Sequence, residues 1–126
     1  MTAGGVTFWY LASPYSLYPG GLEAAFVAAC RNAALLIRAG VPVYSPIAHM
    51  HPVAVQGGLD PLDHDIWLPA DTPMMAAASG LIVLELETWR DSRGIRFEID
   101  DFGAAFKPIV QMTPGVVPAA VLAEAA

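Results

Sequence analysis

The sequence predicts a three-layer α/β fold, with a doubly wound, mostly parallel sheet of four to five strands between two layers of helix. Three observations predict it. Short apolar runs show no in–out alternation, which suits strands buried on both faces. Stretches of helical period separate them, so strand and helix alternate along the chain. Finally, 56% of residues are hydrophobic and 14% charged, against roughly 25% charged in an average soluble protein. At 126 residues the chain is about one domain by the usual length prior.

Residues 6–12 (VTFWYLA) are almost all apolar, aromatic or β-branched and read as the first strand. Ser13-Pro14-Tyr15-Ser16 and Pro19-Gly20-Gly21 then break the chain. Residues 22–39 are good helix formers, with apolar positions at Ala25, Ala28, Ala29, Leu35, Leu36 and Ala39. Asn32 interrupts that line, Arg31 and Arg38 lie outside it or at its edge, and Gly40 is a natural stop. Residues 41–44 (VPVY) form a second strand, which Ser45-Pro46 ends. Residues 47–69 hold all three histidines, two glycines and three prolines. They read as a loop with one or two short helices, one near 61–68. Residues 70–79 look helical, with Asp71 near the start, where a carboxylate suits the helix dipole. Residues 81–86 (LIVLEL) are the clearest strand, and 87–93 form a polar loop. Residues 94–106 are helical, with Ile95, Ile99, Phe102 and Phe106 on one stripe, and 108–112 (PIVQM) form a last strand. The domain is thus residues 1–112, and 113–126 is a C-terminal tail ending in a loose helix. Right-handed crossovers make the sheet flavodoxin- or Rossmann-like. Its ligands belong beyond the carboxyl ends of the strands, which selects residues 11–18, 45–51 and 85–93 with the helix that follows.

Composition excludes several functions. Six Lys+Arg against twelve Asp+Glu give a net charge of −6, the wrong sign for binding a nucleic-acid polymer. No apolar run approaches the roughly 18 residues of a membrane span, and the N-terminus lacks the basic start of a signal peptide. The lone cysteine, Cys30, has a helical setting and reads as a small core residue. It cannot form an internal disulfide, which fits a reducing cytoplasm. No GxGxxG or Walker loop and no GxSxG elbow occurs, and no cofactor is expected. His49, His51 and His64, with Asp63 and Asp65, match no compact metal motif, so no metal is expected either. His49 or His51 instead lines a pocket after the second strand.

The most informative segment is Asp91-Ser92-Arg93-Gly94-Ile95-Arg96-Phe97-Glu98. Ser92 is placed to cap the last main helix, whose free N–H groups can hold an anion. Glu98 follows about one and a half turns later, off the apolar stripe and on the line of Gly94, whose missing side chain leaves space above it. A carboxylate so placed can attack a sugar carbon, stabilise an oxocarbenium ion or bind a ribose hydroxyl; the plainer reading is a solvated surface glutamate. Tyr10 either orients a carboxylate or is sheet core. Asp71 is an acid/base group or simply a helix cap. Arg90, Arg93 and Arg96 cluster beside Glu98 in the sequence, where they receive a phosphate or pair with Asp91, Asp100 or Asp101.

These residues resemble a known group. The strand ending Tyr10-Leu11-Ala12-Ser13-Pro14-Tyr15-Ser16, and the pattern Trp-x-Asp-Ser-x-Gly-x-x-x-Glu at Trp89, Asp91, Ser92, Gly94 and Glu98, look like the nucleoside 2-deoxyribosyltransferase-like superfamily. The branch is that of small bacterial proteins termed DUF1937, and the resemblance covers residues 6–112. It implies that Glu98 is the nucleophile that takes the deoxyribosyl group, that Tyr10 orients it, and that Asp71 helps protonate the leaving base. It implies that Ser92 and Ser13 help hold a 5′-phosphate. The expected substrate site also takes in Pro14, Tyr15, Arg93, Gly94 and His49. The histidine loop and the bulky Arg93 and Arg96 depart from the pattern of the characterised enzymes.

The expected function is therefore a nucleoside or nucleotide deoxyribosyltransferase or N-glycosidase. The alternative is a non-catalytic nucleotide-binding module on the same fold, since fold does not fix chemistry. The expected partner is a small nucleoside or nucleotide, with no nucleic-acid polymer and no membrane. The apolar excess further suggests a homodimer or homotetramer, with the loop bearing Met50, Ile66, Trp67 and Leu68 as its interface.

Overall fold

The structure, a computed structural model, describes residues 7–125. The expected strand start at Val6 and the tail's last residue, Ala126, lie outside the described residues. Four parallel strands form one sheet: β1 (Trp9–Ala12), β2 (Val43–Tyr44), β3 (Gly80–Leu84) and β4 (Ile109–Met112), in the order β2-β1-β3-β4. β1 pairs with β3 in the register Trp9↔Gly80 to Ala12↔Val83. The chain winds from β1 outward to β2, then crosses back to build β3 and β4 on the other side. The order therefore reverses between β1 and β3, and a doubly wound sheet opens a crevice at such a point.

Every residue of β1 and β3 is buried, as a parallel sheet covered on both faces requires. Side chains alternate between faces along a strand. Trp9 and Leu11 join Ile82, Leu84 and Met112 under Ala33 and Leu36 of α1 (Leu22–Arg38) and Val121 of α5 (Ala119–Ala125). Tyr10 and Ala12 turn the other way. They join Leu81 and Val83 under Met75 of α3 (His64–Ala77) and Ile95 and Phe102 of α4 (Arg93–Ala104). These are the three expected layers. Fully burying one such aliphatic side chain contributes ~1.5–3 kcal/mol. No helix among the described residues is long and apolar enough to cross a membrane.

The middle of the chain differs from expectation. Residues 47–69 are mostly helical: α2 spans Pro46–Gly57, and α3 begins at His64, well before residue 70. Ser45-Pro46 does not merely end a strand. The Ser45 hydroxyl accepts from the Ala48 N–H at 3.1 Å, and Pro46 takes the first helical position, where its missing N–H costs nothing. Pro52 in α2 and Pro69 and Pro73 in α3 sit inside helices. In α2, burial of Met50 and Ala54 against Tyr15 and Ala25 outweighs poor propensity; in α3, Met75 is the buried anchor. Asp71 is consequently not a cap. Asp63 is, accepting from the Asp65 N–H at 3.0 Å.

Three smaller differences follow from packing. The stripe on α4 holds through Ile95, Ile99 and Phe102, but Phe106 is 96% exposed. The helix ends at Ala104, Phe106 turns to φ 57°, and the N–H groups of Phe106 and Lys107 close back on the carbonyls of Gly103 and Phe102. That is a left-handed C-terminal cap with a phenylalanine where glycine is usual. Asn32 is buried because it clips the tail. Its amide donates to the Ala28 carbonyl at 2.9 Å, and its oxygen accepts from the Gly115 N–H at 2.8 Å. The segment after residue 112 thus packs on the core through Val117 and Val121. Cys30 is half-buried rather than a core residue.

Gly80 has a strict packing role. A Cβ added there would stand 2.5 Å from the Trp9 ring and 3.1 Å from Pro108. Gly80→Ala should therefore destabilise the protein by about 1–3 kcal/mol through overpacking, measured as a lower urea midpoint. An unchanged midpoint would show that the ring has room to move.

Candidate functional site

A cleft of about 660 Å³ opens at the carboxyl end of the sheet, within the range of about 300–1,000 Å³ usual for small-molecule sites. Three stretches of chain form its polar side. The turn after β1 supplies Ser13 and Tyr15, α3 supplies Asp71, and the start of α4 supplies Ser92, Arg93, Gly94 and Glu98; Tyr10, within β1, lines it too. Leu17, Ile47, Met50, Leu62, Trp67, Leu68, Met75 and Phe97 are among the apolar residues that line it.

Local sequence explains this arrangement. The Ser92 hydroxyl accepts from the Ile95 N–H at 3.2 Å, so α4 begins where the cap predicts, with its N-terminus at the cleft. A Cβ on Gly94 would meet only the Ser92 hydroxyl, at 3.8 Å, so the missing side chain leaves the entrance open. Ile95 and Phe102 anchor α4 on the sheet, and that fixes where Glu98 lies.

The Tyr10 ring is wholly buried, with its centroid 5.7 Å from those of Tyr44 and Phe102. No hydrogen bond of full geometry reaches its hydroxyl, which faces Glu98, nor that of Ser13. Buried hydroxyls are nearly always satisfied, and these two line one cleft. Burial, then the Glu98 and Asp71 charges, push the Tyr10 phenol far above the usual tyrosine range. Glu98 itself is pushed up to about 8, first by burial and then by the Asp71 charge, while the facing Tyr10 phenol pulls the other way. Burial also raises Asp71, and the His49 charge opposes it. Both carboxyl groups thus hold their protons more tightly than usual, Glu98 in part because of the Asp71 charge, a common property of acid/base sites.

Of the residues expected at the site, Tyr10, Ser13, Tyr15, Asp71, Ser92, Arg93, Gly94 and Glu98 line this one cleft. Pro14 is buried behind the wall. His49 is exposed beside Tyr44, its ring centroid 6.1 Å away, outside the lining but close enough to act on Asp71. The three arginines part company. Arg93 lines the cleft, whereas Arg90 and Arg96 line a separate hollow of about 90 Å³, where the Arg90 guanidinium lies 5.1 Å over the Trp89 ring. Among the described residues none of the arginines forms an ion pair. Sequence reasoning missed Leu62, Phe97 and Met75 as parts of the lining; His51, one of the two histidines considered for a pocket here, is buried against Tyr15 outside that lining. Met50 and Trp67, two of the residues expected at a subunit interface, line the cleft, Met50 buried and Trp67 half-buried.

A family model matches residues 7–114, which include every residue of the cleft. The chain belongs to the family described as Domain of unknown function (DUF1937). No curated protein matches it. The polar set of this DUF1937 domain therefore has to be interpreted from its own chemistry.

The raised Glu98 value has a thermodynamic consequence. Below the ordinary glutamate value of 4.5, folded and unfolded chains both hold the proton. Between there and about 8 only the folded chain holds it, so this group's contribution to stability falls as pH rises. Glu98→Gln should melt close to the wild type at pH 4 and at a progressively higher temperature toward pH 9. Parallel melting curves across that range would show that Glu98 ionises freely in the fold.

Proposed function

We propose that this cleft makes and breaks the N-glycosidic bond of a nucleoside or nucleotide, as a deoxyribosyltransferase or N-glycosidase with Glu98 as nucleophile. The observation that carries this reading is the meeting of Glu98, Tyr10 and Asp71 in one cleft, with the Tyr10 hydroxyl facing Glu98. The Glu98 carboxylate attacks C1′ of the sugar, the C1′–N bond breaks, and its electron pair leaves with the base. Asp71, with its raised proton affinity, delivers a proton to that base nitrogen. A second base or a water then attacks C1′, Glu98 departs, and Asp71 recovers a proton from the incoming group. Tyr10 favours the ionised form of Glu98, which is the form the attack needs. The attack needs Glu98 ionised and Asp71 protonated. Ser13, the N-terminus of α4 and Arg93 supply donors suited to a 5′-phosphate.

The retained proton on Glu98 favours a second reading, a module that binds nucleotides without turnover, in which protonated Glu98 donates a hydrogen bond to the ligand. One experiment separates the two. Wild type and Glu98→Ala are incubated with a panel of deoxynucleosides and their 5′-monophosphates, and free base is followed by chromatography. The enzyme reading expects base release or exchange by wild type and a loss of at least 10³-fold in the variant, the scale of removing an attacking group. Equal signals from both proteins would end it, and tight binding without release would establish the module.

A cytoplasmic setting and self-association belong to the same proposal. Leu62, Leu68 and Phe97 at the cleft, and Ile66 nearby, are exposed, and a second copy covering them would remove apolar surface from water. Light scattering at micromolar concentration should give at least twice the monomer mass. A monomer at that concentration would exclude it.

A further inference from the structure

The proposed reaction leaves one polar constellation of the cleft unused. Glu23 in the first turn of α1, His51 in α2 and Tyr15 in the turn after β1 form a chain. His51 Nε2 lies 2.9 Å from the Glu23 carboxylate, and His51 Nδ1 lies 2.6 Å from the Tyr15 hydroxyl. His51 is 5% exposed. Its ring stacks on Phe26 at 4.6 Å and meets Tyr15 edge-on at 5.8 Å, so it is held in one orientation. Glu23 is open to solvent.

With His51 as a neutral imidazole, donor and acceptor roles along this chain follow from its geometry. A carboxylate only accepts, so His51 Nε2–H donates to Glu23. A neutral imidazole has one N–H, so Nδ1 is left as an acceptor, and the Tyr15 hydroxyl donates to it. Burial, then the Glu23 charge, push the Tyr15 phenol up, which keeps that proton in place. With its hydrogen committed to His51, the Tyr15 oxygen retains only lone pairs. Tyr15 lines the cleft. It packs with Met50, Ile47 and Trp67, in a different cluster from Tyr10, Met75 and Ile95 beside Glu98. That apolar, aromatic part of the cleft suits the flat base, away from the carboxyl pair.

We propose that the Glu23–His51–Tyr15 chain makes Tyr15 a fixed hydrogen-bond acceptor in the cleft, so that the protein selects bases carrying an amino group over the corresponding oxo bases. This rests on the nucleotide reading above and adds the class of base. An amino group donates to the Tyr15 oxygen, whereas an oxo group sets lone pairs against lone pairs and leaves both unsatisfied. Glu23 and His51 are positioning residues, acting on the ligand only through Tyr15.

The test is equilibrium binding in a Glu98→Gln background, so that no ligand is consumed. The probes are two pairs of 2′-deoxynucleoside 5′-monophosphates, adenine against hypoxanthine and cytosine against uracil. The amino member of at least one pair should bind about tenfold more tightly, the size of one net hydrogen bond. Adding Tyr15→Phe should bring that ratio to about one, and adding the exposed Glu23→Ala should lower it by freeing the His51 tautomer. A merely structural chain would change all affinities together and leave the ratio alone. Equal binding within both pairs, or a ratio indifferent to Tyr15→Phe, would overturn the proposal and leave the nucleotide reading standing. Failure of all four probes to bind would overturn both.

Discussion

The structure depends on the burial of a four-residue strand, β1, from both sides. A strand in that position has no solvent face, so each of its side chains must find a partner above or below the sheet. Trp9 and Leu11 find α1 and α5, and Ala12 rests under the opposite layer. Tyr10 satisfies the requirement only in part. Its ring packs like any core aromatic, while its hydroxyl reaches the cleft and faces Glu98. The same constraint thus secures the sheet and delivers a polar atom to the crevice where the strand order reverses.

Around that hydroxyl the electrostatics are unfavourable in the empty protein. Asp71 and Glu98 come from different helices of one layer, α3 and α4, and the Asp71 charge disfavours ionisation of Glu98. No arginine or lysine among the described residues neutralises either by an ion pair. A core optimised for stability would have used apolar groups there, and such local conflicts concentrate where a protein binds or reacts.

Much of this was legible in the sequence. The unbroken apolar runs at β1 and β3 gave away the parallel sheet. Ser92 followed by Gly94 and Glu98 gave away a helix opening onto a ligand site, because capping and the lack of a side chain act locally. The helical nature of residues 47–69 was not legible, since proline and glycine punctuation there suggests loops. What overrides it is contact of Met50 and Ala54 with residues far away in sequence. The place of Asp71 was found by resemblance and mistaken by pattern, for the cap belongs to Asp63. The relay through His51 had no local signal at all. Tyr15 and His51 are 36 positions apart, His51 and Glu23 are 28 apart, and only the docking of α1 against α2 joins them.

The clip between Asn32 and Gly115 bears on how the chain comes to be folded as it is made. Val121 closes the sheet face that Trp9, Leu11, Ile82 and Leu84 share, and it is nearly the last described residue. A ribosome extends the chain at about 5–20 residues per second, N-terminal part first. Ala33 and Leu36 of α1 are made before most of that face exists, whereas Val121 follows all four strands. The Asn32 side chain, made early, thus holds a late segment of chain against the face it helps to cover.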